Sequence, residues 1–238
     1  MPMIAVLSDV HGNFPALQAV IAEADRLGCE RIISLGDVTG YYAEPQRCIE
    51  LLSRRNAVQL LGNHDAYLVE GTGCPRSRLV SSLLEHQRKV VTAEQVAQLS
   101  TLSSAYQEGA ASFVHGGWED PRDQYIYRVS RELLKGDYRF YFSGHTHVQI
   151  VAQLGDKTYC NPGSVGQPRD GNPHAAFALF DGEQIHLQRV AYDIDAAVRA
   201  MQDAGYSEAR LWENLYIGAQ IGGRIDQVII DDGAGPSD

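Results

Sequence analysis

The sequence predicts an α/β protein, with two β-sheets packed face to face and helices outside them. Two observations carry this. The first third of the chain reads β-α-β-α-β, and from residue 138 onward strands follow one another directly, separated by Gly, Asn and Pro. The first pattern calls for a parallel sheet with right-handed crossovers. The second calls for hairpins and a further set of strands.

Short runs of β-forming residues occupy positions 3–7, 31–35, 57–61, 111–114 and 138–142. They are near-continuously apolar, as buried strands are. Between the first two, Leu17, Val20, Ile21, Ala24 and Leu27 form a stripe at helical spacing, with Pro15 in the first turn and Gly28 as the stop. A second helix is expected from Pro45 to Arg54. Residues 78–102 read as helical, and Thr92 with Gln95 has capping-box spacing for the second half. Strands are then expected at 149–154, 157–160, 174–180 and 184–190, the last two joined by the hairpin signal Asp181-Gly182, and helices at 193–204 and 207–216. Residues 231–238 are small and acidic, and the expectation there is a disordered tail. No repeat or linker divides the rest, so residues 1–230 are expected to form one domain.

The 238 residues are 44% hydrophobic and 21% charged, the balance of a folded soluble globule. A formal net charge of −10 disfavours nonspecific nucleic-acid binding, which rests on Lys and Arg neutralising phosphates. It leaves room for a small anionic substrate, since bound cations reverse the sign locally. No run is long and apolar enough for a membrane span, and the opening residues lack the features of a signal peptide. Cys29, Cys48, Cys74 and Cys160 lie far apart without CxxC spacing. A reduced, cytoplasmic setting is expected.

The chemistry lies in the polar residues at the end of each apolar run. The first run gives Ser8-Asp9-Val10-His11, the second Gly36-Asp37, and the third Gly62-Asn63-His64-Asp65. Val114 leads into His115-Gly116-Gly117, and Phe142 into Ser143-Gly144-His145-Thr146-His147. Carboxyl ends of strands in α/β sheets form the ligand crevice, so these tips can converge. Each alone reads equally well as a cap, a turn or an exposed histidine. Together they hold five of the eight histidines. Asp9, His11, Asp37, Asn63, His115, His145 and His147 offer mixed oxygen and imidazole donors. That number suits two ions sharing a bridging carboxylate, and that donor mixture suits Mn, Fe, Zn, Co or Ni.

In this order the motifs resemble the calcineurin-like metallophosphoesterase superfamily: Asp-x-His, Gly-Asp, Gly-Asn-His-Asp, a lone His, then Gly-His-x-His. The resemblance implies an αββα sandwich and hydrolysis of a phosphate ester. It implies that Asp9, His11 and His147 hold a first divalent ion, Asn63, His115 and His145 a second, and Asp37 bridges them. Hydroxide generated on the metals, manganese first among them, would attack phosphorus while His64 protonates the leaving group. The compact chain, with residues 36–41 and 161–169, is similar to the small YfcE-type bacterial and archaeal phosphodiesterases. Protein phosphatases and symmetrical dinucleoside-polyphosphate hydrolases continue Gly-Asp with x-x-Asp-Arg-Gly. Here Gly40 and Tyr41 stand in place of that Asp and Arg, which makes those activities the alternative. A non-catalytic scaffold of the same fold is a further alternative, set against a complete ligand set.

Four residues around the motifs keep two readings each. Arg169 is a candidate phosphate contact or a structural ion pair. Tyr41, Tyr42 and Trp118 are candidates for a pocket wall or for the edge of the core.

Overall fold

The computed structural model describes residues 2–231. Strands β1 (Ile4–Leu7), β2 (Arg31–Ser34) and β3 (Val58–Gln59) run parallel, separated by helices α1 (Phe14–Arg26) and α2 (Pro45–Arg54). On the other side of β1 lie β10 (Ala175–Phe180) and β11 (Ile185–Val190), both antiparallel, so the first sheet runs β11-β10-β1-β2-β3. The second sheet is built from β4 (Ala105–Glu108), β5 (Ala111–Val114), β7 (Phe140–Phe142), β8 (Ile150–Leu154) and β9 (Lys157–Asn161). Its order is β4-β5-β7-β9-β8, with β5, β7 and β9 parallel and the two edges antiparallel.

Strand alternation explains the layers. Ile4 and Val6 of β1 point toward the second sheet, where they meet Phe113, Phe142 and Cys160 together with Ile33, Ala178 and Phe180. Ala5 and Leu7 point the other way, into a cluster with Leu17, Val20 and Ile21 of α1 and Ile49 of α2. Both faces of β1 are buried, which is why its sequence is apolar throughout rather than alternating. Helices α3 (Asn63–Glu70), α4 (Arg78–Arg88), α5 (Ala93–Ser100) and α6 (Ile194–Asp203) add to this helical side. The outer face of the second sheet, with Tyr141 and Tyr159, is covered by Ile126, Val129 and Leu134. That covering segment carries the short strand β6 (Arg128–Ser130), paired with β12 (Ile229–Asp231), and one 3-10 turn, Arg131–Leu133.

The departures from sequence expectation are local. The third run keeps only two strand residues, and Leu60 continues it through a single bridge to Ser103. Helix α3 begins inside the Gly62-Asn63-His64-Asp65 motif, because Gly62 is extended at its N-cap and the Asp65 carboxylate accepts from Gly62 N–H. Residues 78–102 are two helices, separated where Thr92 and Gln95 cap each other. Residues 207–216 form two 3-10 turns rather than a helix. Asp231, expected in the tail, pairs with Ser130 as the last residue of β12; the remainder of that tail, 232–238, lies outside the described residues. No helix among the described residues is long and apolar enough to cross a membrane.

Candidate metal centre

The five polar tips meet at the carboxyl ends of β1, β2, β5 and β7 and the N-terminus of α3. Asp9, His11, Asp37, Asn63, His64, His115, His145 and His147 are all buried. Among the described residues, six non-glycine residues have positive φ, and five of them are Asp9, His11, Asp37, His145 and His147, at +54° to +65°. Left-handed backbone costs an ordinary side chain about 1–3 kcal/mol and persists where surrounding structure enforces it, most often at functional sites. Asn56 is the sixth, in the turn after α2.

Each carboxylate uses one oxygen to pin the backbone and leaves the other aimed inward. Asp9 Oδ2 accepts from His145 N–H at 3.0 Å, and Asp9 Oδ1 has no hydrogen-bond partner among the described residues. Asp37 Oδ1 accepts from His64 N–H at 2.8 Å, in the first turn of α3. Its Oδ2 lies 3.8 Å from His11 Nε2 and 3.4 Å from His115 Nε2, between the two halves of the site.

The imidazoles are fixed the same way. His11 Nδ1 donates to Thr39 O at 2.8 Å, His147 Nδ1 to Gln167 O at 2.7 Å, and His115 Nδ1 to Leu35 O at 3.2 Å. A ring nitrogen that donates to a carbonyl leaves the other nitrogen of the neutral ring as an acceptor. Yet His11 Nε2 and His147 Nε2 face each other at 3.1 Å, with Asp9 Oδ1 at 3.7 and 3.2 Å from them. In the other half, His115 Nε2 lies 3.1 Å from Asn63 Oδ1 and 3.2 Å from His145 Nδ1. In the first half, lone pairs of two neutral imidazoles and a carboxylate converge without a proton between them, an arrangement that fits a cation. Three residue groups have donor atoms close enough together to hold one: Asp9–His11–His147, Asp37–His115–His145 and His11–Asp37–His64.

The charge states agree. Burial and neighbouring positive charge push the His11, His145, His147 and His64 imidazoles down, so they are neutral and available. Burial opposes ionisation of Asp9, but His147, His115 and His11 outweigh it and hold the carboxyl well below its ordinary value. Burial pushes Asp37 up to about 7, against the pull of His115. Burial also acts against His115, but the Asp37 and Asp9 carboxylates bring it up to about 9. The Asp37–His115 pair therefore keeps a proton, which a bound cation would have to displace.

Comparison with known proteins places this geometry. The model of the calcineurin-like phosphoesterase superfamily domain matches residues 3–184. The chain belongs to the calcineurin-like phosphoesterase superfamily. This phosphoesterase is 32% identical to an uncharacterized protein of Methanocaldococcus jannaschii, over 91% of this chain and 98% of that one. It is 26% identical to phosphodiesterase YfcE of Escherichia coli K12, over 79% and 91%. The crystal structure of a metallophosphoesterase from Sphaerobacter thermophilus superposes with a TM-score of 0.80 at 31% identity, over 91% of this chain and 99% of that one. The protein is a hydrolase of phosphate esters, and its family and its His/Asp clusters point to divalent metal ions.

The residues around the phosphoesterase site sort out the readings left open by sequence. Gly40, at φ +140°, is a steric necessity: a Cβ there would lie 2.4 Å from His11 Nδ1 and 2.5 Å from His64 Nδ1. Tyr41 packs against His11 and His64, with ring centroids 4.6 and 5.0 Å away. Arg169 forms no ion pair among the described residues; it bonds Gln167 Oε1 and the Tyr41 hydroxyl, the latter at 3.1 Å. A guanidinium from another loop thus stands beside the position where the phosphatase motif has its own. Tyr42 is fully buried and binds Gln167 and Asn214, and Trp118 packs on Tyr141 and donates to Ser112, so neither lines the site. Asp65 does not orient His64. It accepts from Thr39 N, Thr39 Oγ1, Val38 N and Gly62 N, and so ties the Asp37 loop to the start of α3. Tyr125 was not legible from sequence: its ring sits 3.8 Å from that of His145, brought there by the covering segment of the second sheet.

Proposed function

We propose that this protein hydrolyses a small phosphate ester, with diesters at least as good as monoesters, at a dinuclear centre loaded with manganese. The observation carrying the reading is the convergence of His11 Nε2, His147 Nε2 and Asp9 Oδ1 on one point and of Asn63 Oδ1, His115 Nε2 and His145 Nδ1 on an adjacent one, with Asp37 Oδ2 between them. Asp9, His11 and His147 would hold one ion and Asn63, His115 and His145 the other, with Asp37 available to both. When bound, such a pair supplies a nucleophilic oxygen at neutral pH and neutralises charge building on the phosphoryl group. The protein's own contribution is order: carbonyls of Thr39, Leu35 and Gln167 hold the imidazoles in one tautomer, and the backbone holds the carboxylates.

His64 acts as the proton donor to the leaving oxygen. Its Nδ1 has no partner among the described residues, and its ring lies at the edge of the site against Tyr41. Burial favours its neutral form, and the arrival of an anionic phosphoryl group beside it favours the protonated one. A second reading makes His64 a ligand, because its Nε2 lies 4.0 Å from Asp37 Oδ2 and groups with His11. Diester preference rests on Gly40 and Tyr41, which leave the site without the Asp-Arg grip on a dianionic monoester.

The test is a panel of mono-, di- and cyclic phosphate esters with metal-loaded enzyme, alongside elemental analysis. Activity on bis-p-nitrophenyl phosphate at two ions per chain is expected. Full activity at one ion or fewer refutes the dinuclear reading, and a large kcat/KM preference for phosphomonoesters or phosphopeptides refutes the substrate assignment. His64→Ala with a depleted metal content returns His64 to the ligand set.

A further inference from the structure

A cleft of about 430 Å³ opens beside the metal centre, lined by Tyr41, Arg76, Tyr125, Tyr127, Arg169 and Arg224 among others. Two of its walls are shared with the site: Tyr41 packs on His11 and His64, and Tyr125 on His145. Tyr125 and Tyr127 stack with rings nearly parallel, 5.6 Å apart, and continue that wall outward. Volumes of this order accept nucleotide-sized ligands. The scissile phosphoryl group alone would leave most of the cleft empty.

The charge distribution is the telling part. The chain carries a net charge of −10, yet three guanidiniums line this one cleft. Arg76 is neutralised by Asp123 and Arg224 by Asp226, both through one edge of the guanidinium or its Nε. Arg169 has no carboxylate among the described residues although it is only 5% exposed. Its Nε and Nη2 are held by Gln167 and Tyr41, and its Nη1 donates to no group among the described residues. A buried guanidinium without a counter-charge is costly, and a bidentate anion is the partner whose geometry matches it. Tyr41 accepts from Arg169 through its hydroxyl oxygen, so its own hydrogen remains to donate to the same anion. Arg224 comes from a segment beyond residue 184, where the family match ends, so this wall is supplied by the chain's own C-terminal part.

We infer that the cleft is a subsite for a second anionic group of the substrate, a phosphate carried on the ester beyond the one being hydrolysed, held by Arg169, Arg224 and the Tyr41 hydroxyl. The substrate class is then a nucleotide-like ester with at least two phosphates. This rests on the proposed phosphoesterase reading for the position of the first phosphate.

The test compares analogues of ADP and AMP in which carbon replaces the 5′ ester oxygen and, in the ADP analogue, the bridging oxygen as well, by calorimetry on full-length, manganese-loaded protein, so that no P–O–C or P–O–P bond can be hydrolysed and binding is read without turnover. A charge-assisted contact to a second phosphate makes the bisphosphonate about tenfold to a hundredfold tighter. Arg169→Met and Arg224→Gln each narrow that ratio, with folding confirmed by circular dichroism. Arg224 sits on the exposed rim, so Arg224→Gln decides the matter if Arg169→Met fails to fold. Equal affinity for the two analogues overturns the subsite, as does a preference that survives in the folded variants. Absence of hydrolysis on every ester would defeat the proposed activity while leaving this difference in affinity to be read; equal affinity would defeat the subsite while leaving hydrolysis intact.

Discussion

Gly40→Ala should disable the centre although it replaces no ligand. The added Cβ would lie 2.4 Å from His11 Nδ1 and 2.5 Å from His64 Nδ1, where ordinary contact begins at 3.4 Å, so something must retreat by about an ångström. His11 is not free to do so: its Nδ1 is held by Thr39 O at 2.8 Å and its Nε2 faces His147 and Asp9. The backbone adds a second penalty, because φ of +140° suits glycine and strains alanine. Strain and overpacking together give about 2–6 kcal/mol of lost stability. At roughly 2–4 °C per kcal/mol for a chain of this length, Tm falls by about 10 °C. Misplacement by an ångström at a reacting centre costs about 10²-fold in rate. Differential scanning calorimetry, elemental analysis and kcat/KM for a diester, on one preparation, measure all three. A Gly40→Ala protein with wild-type Tm, metal content and activity would refute the steric account. The same geometry means that Gly40→Asp, which restores the aspartate of the phosphatase motif, collides rather than converting the enzyme.

Four other substitutions separate the roles. Asp37→Asn should lower both metal occupancies because Oδ2 faces both halves, whereas His11→Ala lowers mainly one; elemental analysis after manganese reconstitution shows which, and an Asp37→Asn protein with two ions would exclude bridging. His64→Ala should cost about 10²–10⁴-fold in kcat on an alkyl or nucleoside ester and far less on a p-nitrophenyl ester, whose leaving group departs unprotonated. Equal losses on both would remove it as proton donor. Asp65→Ala strands the Thr39 and Val38 amides, at about 1–3 kcal/mol for each buried unsatisfied group, and should lower Tm and metal affinity together; a change in Tm alone would make Asp65 purely structural.

The fold was legible because its signals are local. Apolar runs such as residues 4–7 have one stable fate when both faces are covered, and the helical stripe of α1 repeats at a fixed period. The polar tips were legible because each comes directly after such a run, and eight residues drawn from them lie in one buried cluster. What escaped was set by tertiary contact. Residues 128–130 and 229–231 become strands only by pairing with each other across a hundred residues, and no periodicity marks them. The helix at residue 63 starts where the His64 amide meets the Asp37 carboxylate, a partner 27 residues away from it. The alternatives for Arg169 could be separated only by seeing what surrounds it, since an arginine in a Gly/Pro-rich loop has no local pattern.

The left-handed backbone at Asp9, His11, Asp37, His145 and His147 makes the centre a place where evolution holds the chain against its preferences. Glycine occupies that conformation at lower cost than aspartate or histidine. A laboratory selection for heat resistance alone, run in a chelator, should therefore enrich substitutions at these five codons first and discard the enzyme in the process. Selection with manganese present should leave the same codons untouched and find its gains elsewhere. The two lineages would differ by a map of the site drawn without any assay of catalysis.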